Sequence, residues 1–148
     1  MRKLITGVDA EGRSCVVEDA DVAVVPAAGH GVNIARIYAT TENPLPPRPA
    51  GTGETIDVRL APGLLRWNVV DHEPHEIHDG PVTATTMHNK DTLDLVFVQG
   101  GTAKLVLHDG VHDVGPGDFV VMPGIDHAWN AGPDGCRLVV VTVGTRPR

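Results

Sequence analysis

Aromatic side chains are scarce in this chain, at 3% of 148 residues: two Trp, two Phe and one Tyr. Cysteine is rarer still. Cys15 and Cys136 lie near opposite ends with no CxxC spacing, too few thiols for a disulfide framework, and read as two free cysteines. No apolar run approaches the ~20 residues of a membrane span. The opening MRKLITGVDAEGRS is broken by Gly7, Asp9 and Glu11 before a signal-peptide core develops, so the expectation is a cytoplasmic protein with no membrane partner. Basic residues thin out along the chain, with five after position 70 and no two adjacent. With a net charge of −7 and a pI near 5.5, the chain repels polyphosphate, which argues against a nucleic-acid partner. Helical periodicity is also missing: no window of eleven or more residues repeats its apolar positions at the period of a helix.

What remains points to β-structure. Apolar residues form 41% of the chain, enough for one hydrophobic core, and a domain of this length buries roughly 70% of its unfolded surface. Glycine (17) and proline (12) punctuate short β-prone runs. An amino-terminal hairpin is expected from Lys3–Thr6 and Ser14–Val17, followed by strands at Ala23–Val25 and Asn33–Thr40. The segment TENPLPPRPAGTGE, 41–54, holds four prolines and reads as a loop in the position of a lid. Two further strands are expected on either side of Ala61, Pro62 and Gly63, in IDVRL and LLRWNVV. From Val82 onward the pattern is clearest: TATTMH, DLVFVQ, AKLVLH, an Asp109–Gly110 turn, VHDV, a Gly115–Pro116–Gly117 turn, FVVM and RLVVVTV. Short strands with turn signals at this spacing indicate a sandwich or barrel within a single domain, 1–148, with no internal repeat.

Two strings carry a resemblance. GDFVVMPGIDHAWN, Gly117–Asn130, resembles the second sequence motif of the cupin superfamily: a Gly, a strand, a Pro-Gly turn, then a His on the next strand. MHNKDTLDLVFVQGG, Met87–Gly101, is similar to the first cupin motif in a variant form, with His88, Lys90, Asp94 and Gly101 at the positions of its two histidines, its carboxylate and its later Gly. Lys90 stands where the second histidine usually does, and Asp94 where the usual Glu does. The resemblance covers about 82–143 and is loose before it. It implies a jelly-roll β-barrel carrying the amino-terminal hairpin, often homodimeric, with a small-molecule pocket at its mouth and in some members a divalent metal. Fold carries over more securely than activity, because one fold hosts many chemistries.

Residues two apart in a strand share a face, so His88 and Lys90 face together, and Asp94 joins them if the pleat persists through Thr92. With His127 opposite, the resemblance gives a candidate metal set of His88, Asp94 and His127, whose imidazole and carboxylate donors suit Fe, Mn, Zn or Ni. The Lys90 ammonium in place of a third imidazole opposes a cation. Without metal, the same residues form a candidate catalytic group: His127 or His88 exchanging protons, Asp94 orienting an imidazole, Lys90 binding an anionic substrate. Trp129, Trp67, Phe97 and Met122 are candidate pocket-lining residues, each equally suited to core packing. His72, His75 and His78 lie in the DHEPHEIHDGP segment, where Pro74 opposes the helix that would gather them, and read as loop histidines; His30, His108 and His112 read as surface residues.

These readings converge on a small-molecule enzyme acting on an oxygenated organic metabolite, either a metal-dependent lyase, isomerase or dioxygenase or a histidine acid-base catalyst. The alternative is a non-catalytic module that binds or senses a metabolite. A homodimer is expected from the resemblance and from the exposed edges that the amino-terminal hairpin offers.

Overall fold

The computed structural model describes residues 1–27, 31–74 and 87–148. Eleven strands are present among them: β1 (Arg2–Val8), β2 (Ser14–Asp21), β3 (Val24–Ala27), β4 (Val32–Ala35), β5 (Glu54–Thr55), β6 (Leu65–His72), β7 (His88–Asn89), β8 (Thr92–Leu107), β9 (Gly110–Val114), β10 (Phe119–Met122) and β11 (Ala128–Gly144). No helix occurs among the described residues, and none is therefore long and apolar enough to cross a membrane.

The main sheet has seven strands in the order β2-β1-β10-β8-β11-β6, with β9 attached to β8. It is mixed: β1 runs parallel to β10, and its other ladders are antiparallel. The expected amino-terminal hairpin is β1–β2, and β1 joins the carboxy-terminal strands through Leu4 opposite Val120. The edge strands β2 and β6 do not pair with each other among the described residues, so no closed barrel is seen there.

Sequence and structure differ in four places. DLVFVQ and AKLVLH are not two strands but one, β8, whose first half pairs with β10 and whose second half pairs with β9. Gly100 and Gly101 sit between the halves, and a Cβ on Gly101 would strike the Gly135 carbonyl of β11. Gly101 has φ 68°, a conformation that costs an L side chain. The glycines thus let one long strand run where two separate strands were expected. RLVVVTV likewise starts earlier, at Ala128, with its register shifted between Ala131 and Cys136. Asn33–Thr40 is a strand only to Ala35. IDVRL is not a strand: Arg59 adopts φ 52° and its amide donates to Asp57 Oδ1 (2.8 Å), a local turn that competes with a ladder. TATTMH lies outside the described residues up to position 86.

The core is the inward face of the main sheet. Alternation along β8 buries Asp94, Val96 and Val98, and their ladder partners Met122 and Val120 on β10 and Thr142, Val140 and Leu138 on β11 are buried with them. Leu4, Leu105 and Ile125 complete it at 0% exposure. Each such aliphatic side chain contributes roughly 1.5–3 kcal/mol by leaving water. Two neighbouring polar residues, Asp94 and Thr142, therefore interrupt an otherwise apolar face, and they mark the site. Cys15 and Cys136 are free.

Candidate functional site

The two resembling motifs meet. His88 and His127 exchange backbone hydrogen bonds of 3.0 and 2.9 Å across a single antiparallel bridge, and their ring centroids stand 4.5 Å apart at 53°. The next rung of the same bridge carries Asn89 and Asp126, whose side chains also meet: Asn89 Nδ2 donates to Asp126 Oδ1 at 2.7 Å. Neighbouring rungs present opposite faces, so two side-chain pairs lock one register from both sides.

Asp126 is 2% exposed and accepts three further bonds, from the Thr52 amide (2.6 Å), the Thr52 hydroxyl (3.4 Å) and the Gly53 amide (3.1 Å). Burial alone would favour the neutral acid. The Asn89, Thr52 and Gly53 donors outweigh it and hold the carboxyl below the usual Asp range. Asn89 in turn donates to the Gly53 carbonyl (3.1 Å) and accepts from Thr55 Oγ1 (2.7 Å). Arg48 pairs with Asp91 at 3.0 Å. The proline-rich segment read as a lid is therefore pinned at Arg48 and again at 52–55.

On the other face, His127 is 1% exposed. Its Nδ1 lies 2.8 Å from the Ile125 carbonyl, which can only accept, so Nδ1 carries the proton and Nε2 is the acceptor nitrogen of the neutral ring. Burial, reinforced by the charge of Lys90, lowers its pKa to about 4. His127 is thus neutral at physiological pH.

Lys90 Nζ donates to Asp94 Oδ2. Asp94 is 2% exposed, and its Oδ1 is buried with no hydrogen-bond donor among the described residues. The charges of both Lys90 and Asp94 act on His127. Sequence reading named His88, Lys90, Asp94 and His127, and the structure gathers all four.

The donor set does not fit a resident metal in this arrangement. Asp94 directs one oxygen at an ammonium, whose positive charge opposes a cation, and no three His, Cys, Asp or Glu among the described residues stand in metal-holding geometry.

The pocket candidates divide. Met122 is directly opposite Asp94 in the sheet and 2% exposed, on the site's face. Trp129 packs on the core, 6.2 Å from the ring of His72. Phe97 lies on the opposite face of β8 from Asp94, where it stacks on Phe119 at 4.9 Å and lines an open cleft of about 480 Å³ with Arg2 and Asp118. Trp67 is 74% exposed on the edge strand β6, away from the site. The alternation rule separates Phe97 from Asp94 on sequence alone, whereas Trp67 needed the sheet order. His108 is exposed as read, with its ring 2.8 Å from Ser14 Oγ; His112 is half-buried rather than exposed, because it pairs with Asp109 (2.8 Å). His30, His75 and His78 lie outside the described residues.

Asn89 and Asp126 are the residues that sequence reading missed. Their signal was position: each is a short polar residue adjacent to a named histidine, on the facing rung. Comparison with protein-family models and with curated proteins finds no match for this chain.

Proposed function

We propose that the chain is a small-molecule enzyme of the cupin type, working by histidine acid-base chemistry on an oxygenated organic acid. The cupin assignment is supported by the meeting of the two motifs at His88 and His127, within a sheet whose strand order joins the amino-terminal hairpin to the motif strands.

One observation carries the chemistry: a neutral buried imidazole with Nε2 as acceptor feels the charges of a half-buried Lys90 and its buried partner Asp94, whose Oδ1 lacks a donor among the described residues. The ammonium binds the substrate's carboxylate or steadies an oxyanion that forms on its carbonyl. His127 Nε2 receives a proton from the adjacent carbon and returns it elsewhere, the proton economy of an isomerase, dehydratase or cyclase. Asp94 keeps Lys90 aimed, and a substrate hydroxyl donating to Oδ1 completes the carboxylate's bonding.

A second reading has its own support. A pKa near 4 makes His127 a weak base at neutral pH, better suited to accepting a hydrogen bond than a proton, which favours a binding or sensing module.

Thermal shift across a panel of hydroxy- and oxo-carboxylic acids, followed by proton NMR in D₂O, separates the readings. Stabilisation lost in Lys90→Met, with carbon-bound deuterium appearing in wild type but not in His127→Gln, supports the enzyme. Stabilisation without any exchange supports the binding module, and no response to any acid overturns both. Metal content is measured on protein purified without a metal-affinity tag. Near-stoichiometric Fe, Mn, Zn or Ni that disappears in His127→Ala would replace the acid-base scheme with a metal-dependent one.

A further inference from the structure

The strand β6 is turned the opposite way from its hydrophobic pattern. Leu65, Trp67 and Val69 alternate with Arg66, Asn68 and Val70, and alternation alone would bury the first set. The ladder to β11 does the reverse: Arg66 stands opposite Thr142, Asn68 opposite Val140 and Val70 opposite Leu138. Those three partners are buried, at 8%, 8% and 2% exposure, and Val70 packs on the core with them. Directly opposed residues of an antiparallel pair share a face. Arg66 and Asn68 therefore lie on the inward face of the sheet.

That face leads straight to the candidate site. Thr142 is opposite Arg66 on one side and Asp94 on the other, so Arg66, Thr142 and Asp94 form one row across β6, β11 and β8. The polar groups that β6 brings to it are mostly unoccupied. The side-chain amide of the half-buried Asn68 makes no hydrogen bond among the described residues, and Arg66 bonds only through Nη1, to the Val58 carbonyl at 3.2 Å. Arg2, Arg13, Arg48 and Arg137 each hold an aspartate. Arg66 holds no carboxylate among the described residues, although acidic side chains outnumber basic ones in this chain. Lys90, by contrast, is already paired with Asp94.

We propose that Arg66 binds the substrate's carboxylate, with the Asn68 amide available to the same group, so that the substrate is an acid held at two points: its carboxylate on Arg66 and its reacting carbonyl on Lys90. The inference rests on the acid-base reading above and divides between two residues the tasks assigned there to Lys90 alone. With Nη1 on Val58, the Nε–Nη2 edge of Arg66 presents two parallel N–H donors, the geometry a carboxylate accepts and an ammonium cannot offer. The backbones of Arg66 and Asp94 are two strand spacings apart, roughly 10 Å. This span selects an oxo- or hydroxy-acid whose carboxylate stands several bonds from the reacting carbon over one in which the two adjoin.

The test is thermal shift with levulinate, its methyl ester and pyruvate, each up to about 20 mM so that millimolar binding is read. Levulinate differs from its ester in the carboxylate charge and one methyl group. Wild type is expected to bind levulinate at least tenfold more tightly than the ester, and more tightly than pyruvate. Arg66→Met should bring acid and ester within about twofold of each other, the loss of a charge-assisted pair, and Arg66→Lys should recover part of the preference. Arg66 is exposed and bonded to one carbonyl, and circular dichroism checks that both variants keep their β-structure. Lys90→Met should weaken acid and ester alike, because both present the ketone. An acid preference that survives in Arg66→Met overturns the proposal; if Lys90→Met abolishes it instead, the carboxylate sits on Lys90 and the acid-base reading stands without Arg66. Tighter binding of pyruvate than of levulinate overturns the two-point span. An Arg66-dependent preference with no deuterium entering levulinate at carbon in D₂O keeps the Arg66 assignment and removes the acid-base reading, and no stabilisation of wild type by any of the three overturns both.

Discussion

His88 and His127 are joined twice, by reciprocal backbone bonds of 3.0 and 2.9 Å and by rings 4.5 Å apart, so neither imidazole can gain charge without affecting the other. Burial resolves the conflict by keeping His127 neutral down to about pH 4, against an ordinary value of 6.5. Between those values the unfolded chain binds a proton at this position and the folded chain does not. Stability therefore falls as pH drops from about 6.5 to 4 and is insensitive to this group above and below. The size is roughly 3 kcal/mol for a shift of this extent. Urea unfolding from pH 7.5 to 4 should show this slope in wild type and a shallower one in His127→Gln. Parallel curves would place the acid sensitivity elsewhere.

Lys90 lowers the His127 pKa by its charge, and it is the bonded partner of a carboxylate that is 2% exposed. Lys90→Met should raise the His127 pKa above about 4, read from its ring-proton shift across a pH titration. The same change leaves the buried Asp94 carboxyl without its partner, costing on the order of 3 kcal/mol, most of which Lys90→Met/Asp94→Leu should recover. An unmoved His127 titration, or a double variant as unstable as the single one, would show that the pair does not act on the imidazole or the fold in this way.

Strand character was legible wherever β-branched residues alternate between turn signals: β1, β2, β9 and β10 fall where the pattern puts them. Continuity was not. DLVFVQ and AKLVLH read as two strands because Gly100 and Gly101 part them, yet glycine serves equally in a close approach of two backbones, and the Gly135 carbonyl that decides the matter is distant in sequence. That His88, Lys90, Asp94 and His127 belong to neighbouring strands was legible because a period of two and the order of the motifs place them there. The Asn89–Asp126 clamp was hidden because its other partners are the backbone of Thr52 and Gly53 and two threonine hydroxyls in the segment after the prolines, and neither a backbone amide nor a threonine in a loop marks a site in sequence. Trp67 was misplaced for a related reason: alternation tells which residues share a face, not which face is covered.

Gly124 tests how tightly the turn before His127 is built. It has φ 70°, and a Cβ there would strike the Lys90 carbonyl and crowd the Thr92 carbonyl. Backbone cannot yield as a side chain tip can. Gly124→Ala should cost about 2 kcal/mol or more, through strain at positive φ and displacement of 90–92. A midpoint in chemical denaturation shifted by less than a quarter of that would mean that the turn relaxes without moving Lys90.

Asp126 is the residue on which the loop, β7 and the His88–His127 register all depend. It accepts from Asn89 and from two backbone amides of the proline-rich segment, and each hydrogen bond to a charged group is worth roughly 1.5–3 kcal/mol. Asp126→Ala takes the acceptor from four donors at once, the Thr52 hydroxyl among them, although water reaching the half-buried loop offsets part of the loss, so the expected cost is about 3–4 kcal/mol. Its carboxyl is held below the ordinary Asp value, so this contribution is present above that value and fades as pH falls through the lowered one, a window more acidic than that of His127. Limited proteolysis supplies the local readout: 48–55 should be cut in Asp126→Ala under conditions where wild type resists. Asp126→Asn keeps an acceptor but turns a donor toward an amide, so it should fall between the two. Cleavage elsewhere with 48–55 intact would mean that Arg48 and Asp91 alone hold the segment, and the clamp would then serve the histidine register only.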